Sequence, residues 1–482
     1  MNYAIIFRIL GIIFTIEALF MIPPLLLSFA IEDGATKAFL VTIALLFAAS
    51  VITRIFSAKS LRITPKDGLL IVSVSWIFAS AFGALPLYIS GSLPGYIDSF
   101  FEIVSGFTTT GASVMENPEV VAKSVILWRS MTHWIGGMGI LVFTLILLPK
   151  LGIGAYQIFK AESPGPVAGK IAPKMADTAK KLYIIYMIIT VVLFLLLLLG
   201  GMTPFDAIVH TLGVVGTGGF SSKANSVGYF QGAYIPIVLS FFMLFCGTNF
   251  SMYNYLYKGK IKNILEDEEF RTYYLLIFFA VTLIAIDLFI NNYASFGKSL
   301  LDSFFQASSI SSTTGFSNAD YDLWPTFSKY ILIMLMFMGA SAGSTAGGMK
   351  VIRVVVLGKL IKREVIKVLH PHAIIPVKVN GRILNDEVIA GIHGFMGVYL
   401  LITLLSSTII SLSGVDFLSS LSTTVTMLSN VGPGFGAVGP TRNFAFYNPF
   451  FKLLFCFLML LGRLEFFTLL ALIPTVRKKK IV

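Results

Sequence analysis

The chain has 482 residues, 56% of them hydrophobic and only 12% charged, with a formal net charge of +12. Charged residues alone reach about a quarter of an ordinary soluble domain, so a mean hydropathy of +0.85 excludes that class and leaves a polytopic membrane protein. The positive charge does not point to nucleic acid, because it is spread over the loops between apolar stretches and accompanies no reader motif.

Lipid satisfies no backbone hydrogen bonds, so helices of about 20 residues are the expected spanning elements. Ten are expected, in an all-α fold. Two come first, near 5–30 and 37–57, and are followed by the pairs 69–91 with 124–148, 182–201 with 234–257, 272–292 with an interrupted 328–369, and 387–412 with 447–473. The first stretch is too long for a signal-peptide core and shows no convincing cleavage site, so it reads as a helix. Cys246 and Cys456 lie inside apolar stretches and read as small buried hydrophobes.

Most of the 36 Lys and Arg fall in the loops at 54–66, 150–181, 258–271 and 350–382 and in the tail Arg477-Lys478-Lys479-Lys480. By the positive-inside rule these loops and both termini are cytoplasmic. The alternate loops enter from outside.

Those outer loops share a plan. Each carries a Thr- and Gly-rich hairpin: Thr108-Thr109-Thr110-Gly111, Gly216-Thr217-Gly218-Gly219-Phe220, Thr313-Thr314-Gly315-Phe316 and Ser429-Asn430-Val431-Gly432-Pro433-Gly434. Taking glycines 111, 218, 315 and 432 as counterparts gives intervals of 107, 97 and 117 residues, the mark of a helix-hairpin-helix unit used four times. An acid, Asp98, Asp206, Asp302 or Asp416, opens each hairpin 12 to 16 residues before its glycine, and the first and third units share Asp-Ser-Phe-Phe. Short helices with acids at their positive ends are expected, with their negative ends converging on one axis. Glycine would then let the backbone turn its carbonyls inward to replace a cation's hydration shell. The cation-facing set is Thr109, Thr110, Gly111, Thr217, Gly218, Thr314, Gly315, Asn430, Val431 and Gly432. The pattern is that of a cation pore.

In the third unit Gly339-Ala340-Ser341-Ala342-Gly343-Ser344-Thr345-Ala346-Gly347-Gly348 falls midway through an expected span. Such a run holds no stable helix, since each glycine costs about 1 kcal/mol relative to alanine, and irregular backbone at membrane depth must be protein-buried or line a watery cavity. A gating loop beneath the hairpins meets both conditions; a small-residue packing face is the alternative. The same run matches the Gly-x-Ser-x-Gly of a hydrolase elbow, but it does not sit at a strand-to-helix turn, so no enzyme is expected. Gly136-Gly137-Met138-Gly139 reads as helix packing. Charges inside the spans are Glu17, Arg129, His133, Arg463 and Glu465; Glu17 reads as structural, and Arg129 and Lys452, near span ends, are expected to snorkel.

The strings Thr-Thr-Thr-Gly-Ala-Ser (108–113), His-Trp-Ile-Gly-Gly-Met-Gly (133–139), Gly-Thr-Gly-Gly-Phe-Ser (216–221), Gly-Ser-Thr-Ala-Gly-Gly-Met-Lys (343–350), Asn-Val-Gly-Pro-Gly-Phe-Gly (430–436) and Gly-Arg-Leu-Glu-Phe-Phe-Thr (462–468) resemble the membrane subunits of bacterial Trk potassium uptake systems, in the Trk/Ktr/HKT superfamily. The extra N-terminal pair and the length favour the TrkH branch. The resemblance implies a multi-pass protein of the bacterial inner (plasma) membrane and a homodimer with one pore per protomer. It also implies a cytosolic ring of TrkA-type regulatory subunits that binds nucleotide (ATP/ADP or NAD), and no cofactor on this chain. It assigns K+ as cargo, held at Thr110, Gly111, Thr217, Gly218, Thr314, Gly315, Val431 and Gly432, and places Arg463 below the filter as part of the gate. Glycine at all four filter positions is similar to potassium-preferring members; Gly216 departs from an expected Ser.

The expected organisation is a two-helix hairpin (1–67) and pore units at 68–180, 181–270, 271–385 and 386–482. A channel and a symporter coupling K+ to H+ or Na+ both fit this reading.

Overall fold

The computed structural model describes residues 3–55, 65–139, 175–464 and 466. Glu465, the basic tail, most of the loops at 54–66 and 150–181, and the far ends of the 124–148 and 447–473 spans lie outside the described residues.

The fold is mostly helical. Helix α1 (Tyr3–Phe20) runs on through Met21 into α2 (Ile22–Ile31), whose prolines sit in its first turn, where no N–H is missed. Helix α3 (Thr36–Arg54) returns beside α1. The first unit follows with α4 (Pro65–Gly83), the short α5 (Tyr96–Phe107) and α6 (Lys123–Gly137). The second has α7 (Met175–Leu199), short α8 (Pro204–Val215), α9 (Tyr234–Gly247) and α10 (Ser251–Tyr257). The third has α11 (Glu268–Ile290), α12 (Phe296–Ser311), α13 (Thr326–Met338) and α14 (Val351–Leu369). A two-residue hairpin, Lys378–Val379 with Arg382–Ile383, turns at Asn380-Gly381, both at positive φ, the turn favoured by strand twist. The fourth unit is α15 (Asp386–Ser411), α16 (Phe417–Ser429) and α17 (Pro449–Leu464).

Six segments are long and apolar enough to cross a bilayer by themselves: Ala4–Ile31, Thr36–Thr53, Asp67–Ile89, Lys180–Leu199, Glu268–Ile290 and Asp386–Ser411. The ten expected crossings are thus met in part among the described residues. The segment expected as a straight helix over 234–257 bends by 102° between α9 and α10, because Thr248 turns extended. The 328–369 span breaks at Gly339, as its small-residue run suggests.

The short helices α5, α8, α12 and α16 each pack against helices of their own unit. Each also touches a helix of the preceding unit in cyclic order: α8 meets α6, α12 meets α9, α16 meets α13, and α5 meets α17. Their N-termini are built differently. Thr203 caps α8, accepting from the Asp206 amide at 3.1 Å, with Pro204 next. Asp416 itself caps α16. In α12 the cap is Ser295, which places Asp302 nearly two turns inside the helix rather than at its start; the third short helix simply begins earlier, and Asp302 instead accepts from Asn318 at 2.7 Å and pairs with Lys298 at 2.9 Å.

Two expected surface cations are buried. Arg129 is 4% exposed and pairs with Glu102 at 2.5 Å, and Lys452 pairs with Asp98 at 2.6 Å. Neither snorkels, because each finds a carboxylate on α5. Both cysteines are free and buried. Glu17 is buried, its Oε1 3.0 Å from where a Cβ on Gly83 would stand.

Candidate functional site

Each short helix ends in a strand with one repeated conformation. A left-handed residue, Thr109, Thr217, Thr313 or Asn430 (φ 55, 56, 56 and 55°), is followed two positions later by a positive-φ glycine, Gly111, Gly219, Gly315 or Gly432. The counterpart of Gly111 is therefore Gly219, not Gly218, and Thr313 belongs to the set that the hairpin motifs gave as Thr314 and Gly315. Gly218 takes the middle position beside Thr110, Thr314 and Val431.

Glycine is required here by contact as well as by φ. A Cβ on Gly111 would lie 2.1 Å from the Gly218 carbonyl oxygen, on Gly219 2.0 Å from that of Thr314, on Gly315 2.0 Å from that of Val431, and on Gly432 2.5 Å from that of Thr110. The four contacts close a cycle. Each glycine thus seats against the middle carbonyl of the next strand, and any side chain would force two strands apart.

Behind the strands, hydroxyls do the bracing. Thr108 and Thr110 hydroxyls share a 2.8 Å hydrogen bond, and Ser312 and Thr314 a 2.7 Å one; Ser429 bonds Tyr399 at 2.9 Å. The fourth strand is tied to the first by the Asn430 amide, which donates to Thr110 Oγ1 at 2.9 Å and to the Met459 carbonyl at 3.0 Å. Gly216, at the position of Thr108 and Ser312, has its missing Cβ 2.4 Å from the His133 carbonyl, so close approach explains the absent serine. After the first strand, Glu102 accepts from Ser113 Oγ and Val114 N at 2.8 and 2.9 Å while holding Arg129, whose guanidinium lies 3.4 Å from the centre of the Phe220 ring.

The small-residue run is an irregular loop between α13 and α14, with positive φ at Gly339, Gly343, Gly348 and Lys350. It threads beneath two strands. Gly347 N donates to Thr313 Oγ1 at 2.8 Å, and a Cβ on Gly347 would sit 2.5 Å from the Ser429 carbonyl. The break between α9 and α10 holds its other side: Ser341 N donates to the Gly247 carbonyl (3.0 Å), Thr345 Oγ1 to that of Cys246 (3.2 Å), and Phe250 N to that of Gly343 (3.0 Å). Glu269 Oε1 accepts from Ala342 N at 2.7 Å and Ile352 N at 3.1 Å, clasping the loop to the start of α14. Lys350 Nζ donates to the Ala346 carbonyl. Ala340 and Ser341 are buried, and Gly343 is the loop's exposed turn; Ser344 Oγ returns to the Ser341 carbonyl at 2.7 Å.

Arg463, in the last turn of α17, joins these parts. It donates to the carbonyls of Thr345 (2.6 Å), Gly136 (2.6 Å) and Gly137 (3.0 Å) and to Thr109 Oγ1 (3.2 Å). Gly136 and Gly137 do pack closely, as their run suggests, against Phe107 and Gly216; their carbonyls add a use that packing alone does not require.

Sequence reasoning named Gly219 and Thr313 within the hairpins and His133 among the charges inside the spans without giving them these places, and missed Glu269 and the Glu102–Arg129 pair. For Gly219 two signals were present: the Gly-Phe pairs Gly219-Phe220 and Gly315-Phe316, and a constant interval of 13 residues from Asp98 to Gly111, Asp206 to Gly219 and Asp302 to Gly315.

Residues 35–476 match the family model described as TrkH, cation transport protein. The chain is 37% identical over 480 residues to the Trk system potassium uptake protein TrkH of Salmonella typhimurium, covering 98% of each. It is 33% identical over 466 residues to the Trk system potassium uptake protein TrkG of Escherichia coli, covering 96% of each. The crystal structure of the potassium transporter TrkH from Vibrio parahaemolyticus superposes with a TM-score of 0.89 at 32% identity, over 98% of this chain and 99% of that one. These relatives are named as transport proteins, not enzymes, and the chain belongs to the TrkH family of cation transport proteins.

Proposed function

We propose that this chain is the pore-forming subunit of a Trk-type potassium uptake system. The observation that carries the reading is the closed cycle in which glycines 111, 219, 315 and 432 abut the carbonyls of residues 218, 314, 431 and 110, a geometry suited to ringing one dehydrated cation with backbone oxygens. Four units, 68–180, 181–270, 271–385 and 386–482, surround that axis. The N-terminal hairpin, 1–67, flanks the first, ten crossings leave both termini in the cytoplasm of a bacterial inner membrane, and two protomers pair with one pore each.

Below the filter, the loop 339–348 and Arg463 close the path. Arg463 keeps its charge, so beside the filter it repels cations and, through the Thr345 carbonyl, holds the loop in place. A cytosolic ring of TrkA-type subunits binds ATP/ADP or NAD and moves the loop through α14. Potassium is the cargo, drawn inward by the membrane potential with modest preference over sodium, because a single short ring places few sites in series.

Bilayer recording of the purified subunit under K+/Na+ gradients tests this. A channel gives a reversal potential set by those two ions alone. A reversal potential that follows a proton gradient, or that obeys a fixed K+:Na+ stoichiometry, replaces it with coupled symport.

A further inference from the structure

We infer that His133, on α6, is a positioning residue for selectivity that substitutes for the side chains missing from the second filter strand. The inference rests on the filter reading above and goes beyond it by naming what holds the strand that has glycine at both flanking places.

In the first and third strands the residues flanking the left-handed threonine carry hydroxyls bonded to each other, Thr108 with Thr110 and Ser312 with Thr314. In the second strand both places are glycine, Gly216 and Gly218. That pair can form no such bond. Nor does φ demand glycine at 218, which is absent from the positive-φ residues and whose counterparts are Thr110, Thr314 and Val431. The space is filled from another helix. A Cβ on Gly218 would lie 2.2 Å from His133 Cγ, 2.3 Å from Nδ1 and 2.5 Å from Cδ2, so the imidazole occupies the volume that a residue-218 side chain would take.

The residue is itself fixed by two contacts of its ring and one of its backbone. Nδ1 lies 2.8 Å from the Gly106 carbonyl on α5, and because a carbonyl only accepts, Nδ1 carries the proton. Phe220, just past the second filter glycine, lies over the ring with centroids 4.0 Å apart. The His133 backbone carbonyl fills the place of a Gly216 side chain. His133 is wholly buried, and Nε2 has no hydrogen-bond partner among the described residues, so the ring is kept for its shape and its single bond to Gly106 rather than for a full polar network. One imidazole thereby couples the end of the first short helix to Gly218, the middle residue of the second strand, whose carbonyl Gly111 seats against.

The test is a rescue, read as relative K+/Na+ permeability from reversal potentials in bilayers. His133→Ala is expected to lower the permeability ratio by about fivefold, the effect of emptying the packed volume that steadies Gly218. Gly218→Thr alone is expected to collide with the ring and lose potassium flux. The double variant, His133→Ala with Gly218→Thr, is expected to return the ratio to within about twofold of the parent, since threonine then fills the vacated space as it does at 110 and 314. His133→Asn keeps a donor for Gly106 without the ring and serves if the alanine variant does not fold; it is expected to lose selectivity as well. A folded His133→Ala or His133→Asn protein with the parent's ratio overturns the proposal, as does a double variant no better than His133→Ala. Gly111→Ser run in parallel separates the two readings: if it shifts the ratio while the His133 variants do not, the brace fails and the filter stands; if neither shifts, the filter reading falls and takes the brace with it.

Discussion

A guanidinium nitrogen of Arg463 lies 2.6 Å from the carbonyl oxygen of Thr345, tying the last helix of the fourth unit to the irregular loop of the third. The same side chain reaches Thr109 in the first filter strand and the carbonyls that end α6. Hydrogen bonds to a charged group contribute about 1.5–3 kcal/mol each, so any displacement of the loop is opposed by at least a tenfold factor through this one contact, and under the proposed gating that restraint opposes ion passage. Arg463→Ala is expected to raise rubidium flux into proteoliposomes about tenfold, and Arg463→Lys, which cannot fork to three carbonyls, to give an intermediate value. Parent-level flux and gating in a folded Arg463→Ala protein would assign the residue to packing.

Glycines 111, 219, 315 and 432 carry two separate demands, a positive φ and an oxygen at contact distance. A non-glycine residue in such a conformation carries roughly 1–3 kcal/mol of strain, and at 111 and 219 its Cβ also pushes on a carbonyl. Gly111→Ser and Gly219→Ser are therefore expected to shift permeability toward sodium to a similar degree. A normal ratio in Gly219→Ser would return the second filter position to Gly218.

The Thr- and Gly-rich hairpins and the break at Gly339 were legible because each rests on local chemistry: glycine, capping residues and small side chains. The register of the second hairpin was not, because Gly218 and Gly219 are adjacent and either satisfies a rule that asks only for glycine; the carbonyl of Thr314, far away in sequence, decides between them. Likewise the stretch 234–257 holds no internal break signal stronger than Gly247, and it bends because Gly343, Ser341 and Thr345 take up the backbone groups released there. Arg129 read as a snorkelling cation because Glu102 lies a helix away in an outer-loop element, where a carboxylate suggested only helix capping. His133 was visible as a buried charge-bearing group but not as a brace, since its role follows from side chains that are absent.

The Glu102–Arg129 pair is fully enclosed, and breaking a buried pair at one end leaves an uncompensated charge worth about 3–5 kcal/mol. Glu102→Ala is expected to lower the melting temperature in detergent markedly, and more than Lys452→Ala, whose partner Asp98 keeps partial access to solvent, its side chain being 19% exposed. Equal shifts would mean that Glu102 contributes no more than an outer ion pair, and its bonds to Ser113 and Val114 would then be incidental.

Glu269 accepts the amides of Ala342 and Ile352 on a single oxygen while being only 6% exposed. Glu269→Ala strands both donors, at about 1–3 kcal/mol, and is expected to raise basal flux several-fold; Glu269→Gln retains an acceptor and should fall between the alanine variant and the parent. If both variants conduct as the parent does, the loop's anchorage on α11 is not what keeps it closed.

Helix α14 starts just after the loop, with Lys350 at its N-cap, and bears Arg353, Lys359, Lys362, Arg363 and Lys367. It is not a free arm: Lys359 pairs with Glu268, and the following hairpin docks on the same helix start through Asn380, which donates to Asp267 at 2.7 Å. A partner pulling on α14 therefore strains the loop and the α11 clasp together. In the proposed gating, nucleotide on the partner biases the loop only through different affinities for two arrangements between which the loop differs. Deleting Ser341–Gly347 removes the bonds to Thr313, Gly247 and Arg463 at once while leaving glycines 111, 219, 315 and 432 untouched. Basal flux in liposomes with the reconstituted partner should then rise and lose its response to nucleotide, with the K+/Na+ ratio preserved. A folded deletion variant that conducts no better and still responds normally would show that α14 acts on some other barrier, and the loop would keep only a structural part in the pore.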